Sequence, residues 1–180
     1  MGANQGRTWF VKDFIRPQSG MRILDMGCGP GDIVAYLPDI DYWGFDISNA
    51  YIERANARFG RLGKFHCQEL TPSIVENMPP FDVVLALGLL HHLDDESAVN
   101  ILRLASQALK PGGRLLTVDP CLEAGQHPIA RFLVRKDRGQ NVRILKEYAA
   151  LASAVFTSPR VTVRHQRWIP YTHCIMESTK

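Results

Sequence analysis

The chain has 180 residues, of which 46% are hydrophobic and 22% charged, and its net charge is +3. This length and composition predict one globular domain and exclude a low-complexity chain. No apolar run approaches the ~18 residues of a membrane span. Residues 1–18 lack the apolar centre of a signal peptide. We therefore expect a cytoplasmic protein.

The charge is unevenly distributed along the chain. Residues 1–125 have a net charge of −4, whereas residues 126–180 have a net charge of +7. A basic segment of this kind can bind an anionic small molecule or a nucleic acid, or it can be a solvated basic surface. The four cysteines are scattered singly, without the Cys-x-x-Cys spacing of zinc and redox sites, so we expect reduced thiols.

Short apolar runs alternate with helical stretches, which predicts a parallel sheet wrapped by helices. Strands are predicted at Met21–Met26, Tyr42–Ile47, Lys64–Gln68, Phe81–Leu87 and Arg114–Val118. Helices are predicted at Asp32–Leu37, Asn49–Phe59 (with Ser48 as N-cap), Asp94–Leu109 and Ile144–Phe156. The last two runs, Val161–Trp168 and Tyr171–Glu177, are too close for a crossover helix and should form an antiparallel hairpin.

Before the first strand, apolar residues recur at helical spacing. Trp9, Phe10, Phe14 and Ile15 would share one face of an N-terminal helix within residues 1–20. This face could pack on the sheet or cover the functional site.

The first strand runs into a glycine-rich turn, Asp25-Met26-Gly27-Cys28-Gly29-Pro30-Gly31. Glycines at a strand end allow a ligand to approach the backbone more closely than any Cβ permits. The spacing differs from the Gly-x-Gly-x-x-Gly of dinucleotide sites, and no Gly-Lys-Ser/Thr of a P-loop follows. Asp25 would repel a pyrophosphate but suits a ligand that carries an ammonium group.

Three later segments supply further parts of such a site. Asp46 ends the second strand, where a carboxylate can accept both ribose hydroxyls, although it could also cap the next helix. Phe81 to Asp95 and Leu109 to Leu115 then follow in order. Together, over residues 21–120, these segments resemble class I S-adenosylmethionine-dependent methyltransferases of the small-molecule type.

The resemblance implies an α/β fold: a doubly wound, mostly parallel seven-stranded sheet with a C-terminal antiparallel hairpin and helices on both faces. It also implies one domain over 1–180, with a cofactor-binding core at 21–120 and acceptor-side helices and the hairpin at 121–180. The cofactor would be S-adenosylmethionine and the product S-adenosylhomocysteine. The implied cofactor-binding residues are Asp25, Gly27, Cys28, Gly29, Gly31, Asp46, Ile47, Gln68, Glu69 and Leu87.

Two of these positions depart from the family pattern or have an alternative role. Gln68 and Glu69 stand where the family has a Gly-Asp pair that meets the adenine, so either residue could make this contact, and Glu69 could instead be a solvated surface residue. Cys28 could contact the ligand or only pack in the turn.

Methyl transfer requires donor and acceptor to be held in line, and a base only if the acceptor must lose a proton. His91 follows the fourth strand and is the first candidate base, although a packed histidine is an equal alternative; Asp119, after the fifth strand, is the second. The basic segment suggests an anionic small-molecule acceptor bound by Arg138 and Arg143. No metal is expected, because the fourth strand ends in Ala86-Leu87-Gly88 rather than in clustered carboxylates.

Two other classes of function stay open. One is methylation of RNA or DNA, which the absence of an Asn/Asp-Pro-Pro-aromatic segment after the fourth strand makes less favoured. The other is a non-catalytic S-adenosylmethionine-binding protein of the same fold. The sequence predicts no membrane partner and does not indicate an oligomeric state.

Overall fold

The computed structural model describes residues 2–166 and 170–180, with side chains at 5–165 and 170–180. Its centre is a mixed sheet in the order β3-β2-β1-β4-β5-β8-β7, with a short β6 paired to β5. The strands are β1 (Arg22–Met26), β2 (Asp41–Asp46), β3 (Lys64–Cys67), β4 (Phe81–Leu87), β5 (Leu109–Leu122), β6 (Arg143–Ile144), β7 (Arg160–Gln166) and β8 (Tyr171–Thr179). The helices are α1 (Gly2–Phe10), α2 (Asn49–Phe59), α3 (Pro72–Glu76), α4 (Asp95–Ala108), α5 (Pro128–Arg135) and α6 (Leu145–Ser153).

Strands β1 to β5 are all parallel to one another, whereas β8 is antiparallel to both β5 and β7. The predicted α/β fold with a C-terminal antiparallel hairpin is therefore confirmed. The path through the sheet has the seven expected strands, and β6, which pairs in parallel with Cys121 and Leu122, is an eighth that the sequence did not predict. Because Ile144 belongs to β6, helix α6 begins one residue later than expected.

Two hydrophobic clusters cover the two faces of the sheet. Side chains alternate between faces along a strand, so Leu24 and Met26 belong to one cluster and Ile23 to the other. Helices α3, α4 and α6 pack on the first face, and α1 and α2 pack on the second. β4 is buried on both faces, as its near-continuous apolar sequence predicts.

Two elements differ from the predicted pattern in length. The helix expected at Asp32–Leu37 is only a single 3₁₀ turn, Val34–Tyr36, because Pro38 follows closely and β2 already begins at Asp41. Strand β5 extends beyond the expected Arg114–Val118 at both ends. Leu109 pairs with Phe81 across an irregularity in the register, so pairing begins before Pro111. Pairing with β8 and β6 continues to Leu122, so Asp119, expected after the strand, lies within it.

The two terminal segments meet on the second face of the sheet. The side chain of Arg114 in β5 donates to the carbonyl oxygens of Phe14 and Ile15, at 2.8 and 2.6 Å, and so fixes the helical turn Val11–Ile15 that follows α1. Strand β7, which pairs with β8 in the hairpin, spans Arg160–Gln166. Trp168, the predicted end of this strand, lies outside the described residues. α1 and the hairpin thereby form two walls of the site described next.

Candidate active site

A cavity of about 910 Å³ opens at the carboxyl ends of β1, β4 and β5. The glycine turn after β1 forms one end, and the carboxyl-terminal residues of β4 and β5 form another, together with the segment that follows β4. Helix α1 and the β7–β8 hairpin complete its walls. Ligands in open α/β sheets bind at this edge, where the strand order reverses.

The glycine turn is held against the end of β2. The backbone N–H groups of Gly27 and Cys28 both donate to the carbonyl oxygen of Phe45, and Gly29 N–H donates to Asp46 Oδ2 at 2.9 Å. Gly27, Gly29 and Gly31 have φ angles of +71°, +54° and +71°, a conformation that other residues rarely adopt. The turn therefore requires glycine at all three predicted positions.

The glycines have different surroundings. A Cβ at Gly29 would meet no atom within 4 Å, so this position is open on the cavity side. A Cβ at Gly31 would lie 2.7 Å from the ring of Phe65, and Gly31 does not line the cavity. Gly31 thus allows the turn to pack on β3, whereas Gly27 and Gly29 border the space where a ligand would lie.

Asp25 is buried at the cavity floor, with 2% of its surface exposed. Its Oδ2 accepts a 2.5 Å hydrogen bond from the Tyr42 hydroxyl, and its Oδ1 has no hydrogen-bond partner. Burial raises the pKa of Asp25 to about 7, against the opposing effect of the Tyr42 hydrogen bond and with a further contribution from the charge of Asp46. An unpaired carboxylate oxygen on a residue that lines a cavity suits a ligand ammonium group.

The carboxylate of Asp46 is already engaged by backbone N–H groups. Its Oδ1 accepts from Ser48 N–H at 2.8 Å and its Oδ2 from Gly29, so it ties the glycine turn to the start of α2. Ser48 stands at the N-cap position of α2, but its own side chain makes no capping bond. Each carboxylate oxygen accepts more than one hydrogen bond, so Asp46 retains capacity for a ribose hydroxyl.

The remaining predicted cofactor contacts are divided between the cavity and the open surface. Leu87 and Cys28 line the cavity. Ile47 is 79% exposed, and Gln68 and Glu69 are exposed beyond the end of β3. The three exposed residues lie at the strand edge next to the glycine turn, outside the cavity wall.

Cys28 packs tightly within the turn. A Cβ at Gly44 would lie 2.8 Å from its sulfur, so Gly44 is needed to admit this side chain. Burial, with the nearby charges of Asp25 and Asp46, raises the pKa of the Cys28 thiol well above its ordinary value. Cys28 is therefore a neutral packing residue that also borders the cavity.

The two candidate catalytic residues are in contact. His91 Nδ1 lies 2.8 Å from Asp119 Oδ1, and the same oxygen accepts the backbone N–H of His91 at 3.1 Å. His91 is 5% exposed and lines the cavity, and Asp119 is 1% exposed behind it. A carboxylate bound at Nδ1 fixes the orientation of the ring and directs Nε2 away from it.

A third carboxylate, which the sequence did not indicate, faces the other ring nitrogen. Asp137 Oδ1 lies 3.2 Å from His91 Nε2 and accepts the backbone N–H of Gly139, while its Oδ2 accepts a short hydrogen bond from Tyr171. Although burial acts in the opposite direction, these hydrogen bonds and the neighbouring histidines hold the pKa of Asp137 below its ordinary value. Asp137 is remote from both strands in sequence, and no motif marks it.

Gly139 allows this loop to close on His91. A Cβ there would lie 2.6 Å from the carbonyl oxygen of His91 and would overlap its ring, and the same oxygen accepts the N–H of Asn141. Tyr171 and His173, for which the sequence held no discriminating signal, also line the cavity.

The two predicted acceptor-binding arginines are not in the cavity wall. Arg143 is buried, and its guanidinium donates to Asp95 and to the carbonyl oxygens of Leu90, Leu93 and Asn141. It therefore has a structural role in holding the loop around His91, rather than the acceptor-binding role expected from the sequence. Arg138 is exposed and does not line the cavity.

Within residues 2–166 and 170–180, no group of three or more His, Cys, Asp or Glu side chains is arranged to hold a metal ion. Over the same residues, no helix is both long enough and apolar enough to cross a bilayer. The expectation that no metal is used stays a prediction.

Comparison with known proteins gives a consistent result. Residues 24–115 match the family model described as "Methyltransferase domain". The chain is 35% identical over 109 residues to 27-O-demethylrifamycin SV methyltransferase of Amycolatopsis mediterranei, covering 57% of this chain and 39% of that enzyme.

Two solved structures have a similar fold. One is the S-adenosylmethionine-dependent methyltransferase SibL in its apo form, with a TM-score of 0.75 and 20% identity over 99% of this chain and 55% of that one. The other is the S-adenosylmethionine-bound magnesium protoporphyrin IX methyltransferase of Synechocystis PCC 6803, with a TM-score of 0.65 and 19% identity over 98% of this chain and 77% of that one. At these identities the similarity concerns the fold alone.

The family model covers half of the chain, and the sheet order and glycine turn agree with it. The protein belongs to the class I S-adenosylmethionine-dependent methyltransferase family. The chain spans about half or less of the length of the curated relatives that we compared.

Proposed function

We propose that this protein transfers a methyl group from S-adenosylmethionine to an oxygen or nitrogen atom of a small anionic acceptor. The proposal rests on a single cavity whose floor and wall carry chemically different groups. Asp25 and the glycine turn border its floor, and His91, held from behind by Asp119, borders its wall at the ends of β4 and β5.

The residues at the floor fit the methyl donor. Asp25 offers a buried, unpaired oxygen to the ammonium group of the methionine end, and Gly29 leaves the backbone open to close approach. Asp46 retains acceptor capacity for the ribose, and Ile47 offers exposed apolar surface to the adenine. When bound, the donor supplies a methyl group on a sulfonium for in-line displacement.

Gln68 and Glu69 follow β3 on this open edge and are proposed to contact the adenine. Their exposure is compatible with this role, because their side chains are free of the sheet and can turn to the amino group of the base. Cys28 and Leu87 are proposed to pack against the methionine and adenosine parts of the donor.

The wall after β4 and β5 supplies acid–base chemistry. With Nδ1–H donating to Asp119, His91 can accept the proton of an acceptor hydroxyl or amine at Nε2 once the acceptor takes the place of the Asp137 carboxylate, whose Oδ1 lies 3.2 Å from this nitrogen. Asp119 stabilises the resulting imidazolium and prevents the ring from turning. Asp137, on the other side of the ring, offers a second acceptor oxygen at the cavity surface.

The cavity is suited to a small acceptor with an apolar body. Its walls include Trp9, Phe10, Val118 and Ile175 in addition to the polar groups, which is the usual composition of small-molecule sites. The relative from Amycolatopsis is named for methylation of an oxygen atom of a rifamycin, which supports an oxygen acceptor.

We also propose a cytoplasmic location, no nucleic-acid partner, and a cofactor core at 21–120 with acceptor-side elements at 121–180.

Calorimetry with S-adenosylmethionine and S-adenosylhomocysteine tests the donor site. We expect both to bind, and Asp25→Asn and Gly29→Val to weaken both. If the wild-type protein bound neither compound, the proposed function would be excluded. An assay of S-adenosylhomocysteine release over carboxylate, phenol and amine acceptors then tests turnover, and binding without release from any acceptor would favour the non-catalytic alternative.

A further inference from the structure

Arg164 of β7 lies in the hairpin wall of the cavity. Its guanidinium carbon lies 3.1 Å from the ring centroid of Trp9 in α1. Its Nη1 is buried and has no hydrogen-bond partner. A buried N–H donor without an acceptor is unfavourable, and in native structures such a group usually marks an interaction that a ligand or water completes.

The second arginine in the cavity wall already has a carboxylate partner. Arg7 of α1 lies 3.0 Å from Asp32, which also pairs with Arg58. Over the described part of the chain, no carboxylate lies within ion-pair distance of Arg164. Burial lowers the pKa of Arg164, and the more distant Asp13 opposes this effect, but a guanidinium stays protonated at neutral pH.

The residue that pairs with Arg164 across the hairpin is His173. The pKa of His173 is lowered to about 4, mainly by burial and secondly by the charge of Arg164. The charge of Asp137 opposes this shift, and the charge of His91 adds to it. His173 is therefore neutral near pH 7, and it lies within electrostatic range of both Arg164 and His91. Arg164, whose buried Nη1 has no partner, thus lines the same cavity as His91.

We propose that Arg164 binds a carboxylate or phosphate group of the methyl acceptor. This inference rests on the proposed function and adds to it the residue that recognises the anion. A guanidinium can donate two parallel hydrogen bonds to such a group, and its face is covered by Trp9. The acceptor is then a small acid with an apolar or aromatic body, its anionic end on the hairpin and its reacting atom near His91.

The methionine carboxylate of the donor is the alternative source of an anion. The experiment separates the two sources by saturating the donor site with S-adenosylhomocysteine before an acid is added. The probes are 4-hydroxybenzoate and its neutral analogue 4-hydroxybenzamide, and their dissociation constants are measured by ligand-observed NMR.

We expect the wild-type protein to bind the benzoate roughly tenfold or more tightly than the amide. Arg164→Gln should reduce this ratio to about one and leave the affinity for S-adenosylhomocysteine unchanged. Arg164→Lys should restore part of the ratio, because it keeps the charge without the paired donors. Arg160→Gln, an exposed change on the same strand, is the matched control and should keep the full ratio. Far-ultraviolet circular dichroism shows whether each variant is folded.

Two results would overturn the inference. The first is equal binding of the two probes by the wild-type protein. The second is a folded Arg164→Gln variant that still prefers the benzoate over the amide to the same degree as the wild-type protein. If this variant also lost affinity for S-adenosylhomocysteine but not for 5′-methylthioadenosine, which lacks the carboxylate, Arg164 would belong to the donor site. Failure of the proposed function gives a different result, because S-adenosylhomocysteine would then not bind. The affinities for 4-hydroxybenzoate and 4-hydroxybenzamide can still be compared in the ligand-free protein.

Discussion

His91 Nδ1 lies 2.8 Å from Asp119 Oδ1, although the two residues are 28 positions apart. The same carboxylate oxygen also accepts the backbone N–H of His91, so both the ring and the chain are fixed to the end of β5. The short helical turn Leu90–His92 that follows β4 brings the histidine there. A histidine oriented by a buried carboxylate at one nitrogen is suited to accept a proton at the other. That nitrogen, Nε2, lies 3.2 Å from Asp137 Oδ1, so a bound acceptor must take the place of this carboxylate.

Replacing His91 tests this pair directly. We expect His91→Ala to lower kcat by about 10²-fold or more, in the range of general-base removal, with the affinity for S-adenosylhomocysteine unchanged. The measurement is a turnover assay with an identified acceptor, combined with calorimetry. His127→Ala is the matched control, because His127 is exposed and does not line the cavity, so this variant should retain activity. A His91→Ala enzyme with wild-type turnover would show that no base is needed at this position.

Asp25 predicts a specific pH dependence of donor binding. In the folded protein its pKa is about 7, against an ordinary value of 3.8. The unfolded chain therefore releases this proton near pH 4 and the folded chain near pH 7, so burial of Asp25 lowers stability progressively as the pH rises through this interval. A bound ammonium group offsets this penalty, because it favours the charged carboxylate.

We accordingly expect S-adenosylhomocysteine to raise the melting temperature more at pH 8 than at pH 6. Thermal unfolding at a fixed ligand concentration measures the difference. In Asp25→Asn, which cannot ionise, the ligand-induced shift should be smaller and nearly independent of pH over this range. An equal shift at both pH values in the wild-type protein would contradict an ammonium contact at Asp25.

Gly139 is expected to be intolerant of any side chain. A Cβ would lie 2.6 Å from His91 O and overlap the His91 ring, so Gly139→Ala must displace the loop or the histidine. We predict a loss of about 1–3 kcal/mol in the free energy of unfolding, as for overpacked sites, and a marked loss of turnover. Urea denaturation measures the stability.

Gly6→Ala is the matched control for the stability measurement, because a Cβ at Gly6 meets no atom within 4 Å and the residue is helical. It should leave stability unchanged or raise it by up to about 1 kcal/mol. Wild-type stability and activity in Gly139→Ala would mean that the loop does not pack on His91 as described.

Arg143 is expected to matter for stability rather than for acceptor binding. Arg143→Met removes the guanidinium donor from three carbonyl oxygens, of which Leu90 O keeps the N–H of Leu93, and it removes the ion pair with Asp95. We expect a loss of about 2–4 kcal/mol in the free energy of unfolding, measured by urea denaturation. Arg138→Met, an exposed change in the same segment, should alter stability by less than about 0.5 kcal/mol. If Arg143→Met instead kept full stability and raised only the KM of the acceptor, the sequence-based expectation would be reinstated.

The sheet was predictable from sequence because its strands are local signals. β4 is a nearly continuous apolar run, the hairpin alternates apolar and polar residues, and glycines stand at the three positive φ angles of the turn after β1. The 3₁₀ turn at Val34–Tyr36 was mistaken for a longer helix, because the helical pattern is present but the distance to β2 leaves no room for it. β6 was missed because two residues carry no periodicity.

The site was predictable only in part. The pairing of His91 with Asp119 follows from two adjacent parallel strands that end at one edge, and both residues were candidates from sequence. Asp137 and Arg164 were not, because a loop and a hairpin bring them to the cavity from distant positions. Arg143 was assigned to the acceptor from its charge, but burial and hydrogen bonds decide what a charged side chain does.

By itself, then, the sequence determined the elements of the sheet, the glycine turn with its preceding Asp25, and the order of the family segments, since each depends on residues that are close along the chain. The tertiary structure alone decided which charges are satisfied and which face the cavity. Arg143 and Arg164 are the same residue type in the same basic segment, yet one has all its donors engaged and the other has a buried Nη1 without a partner. The physical reason is that hydrogen-bond satisfaction and desolvation depend on contacts between residues far apart in the chain.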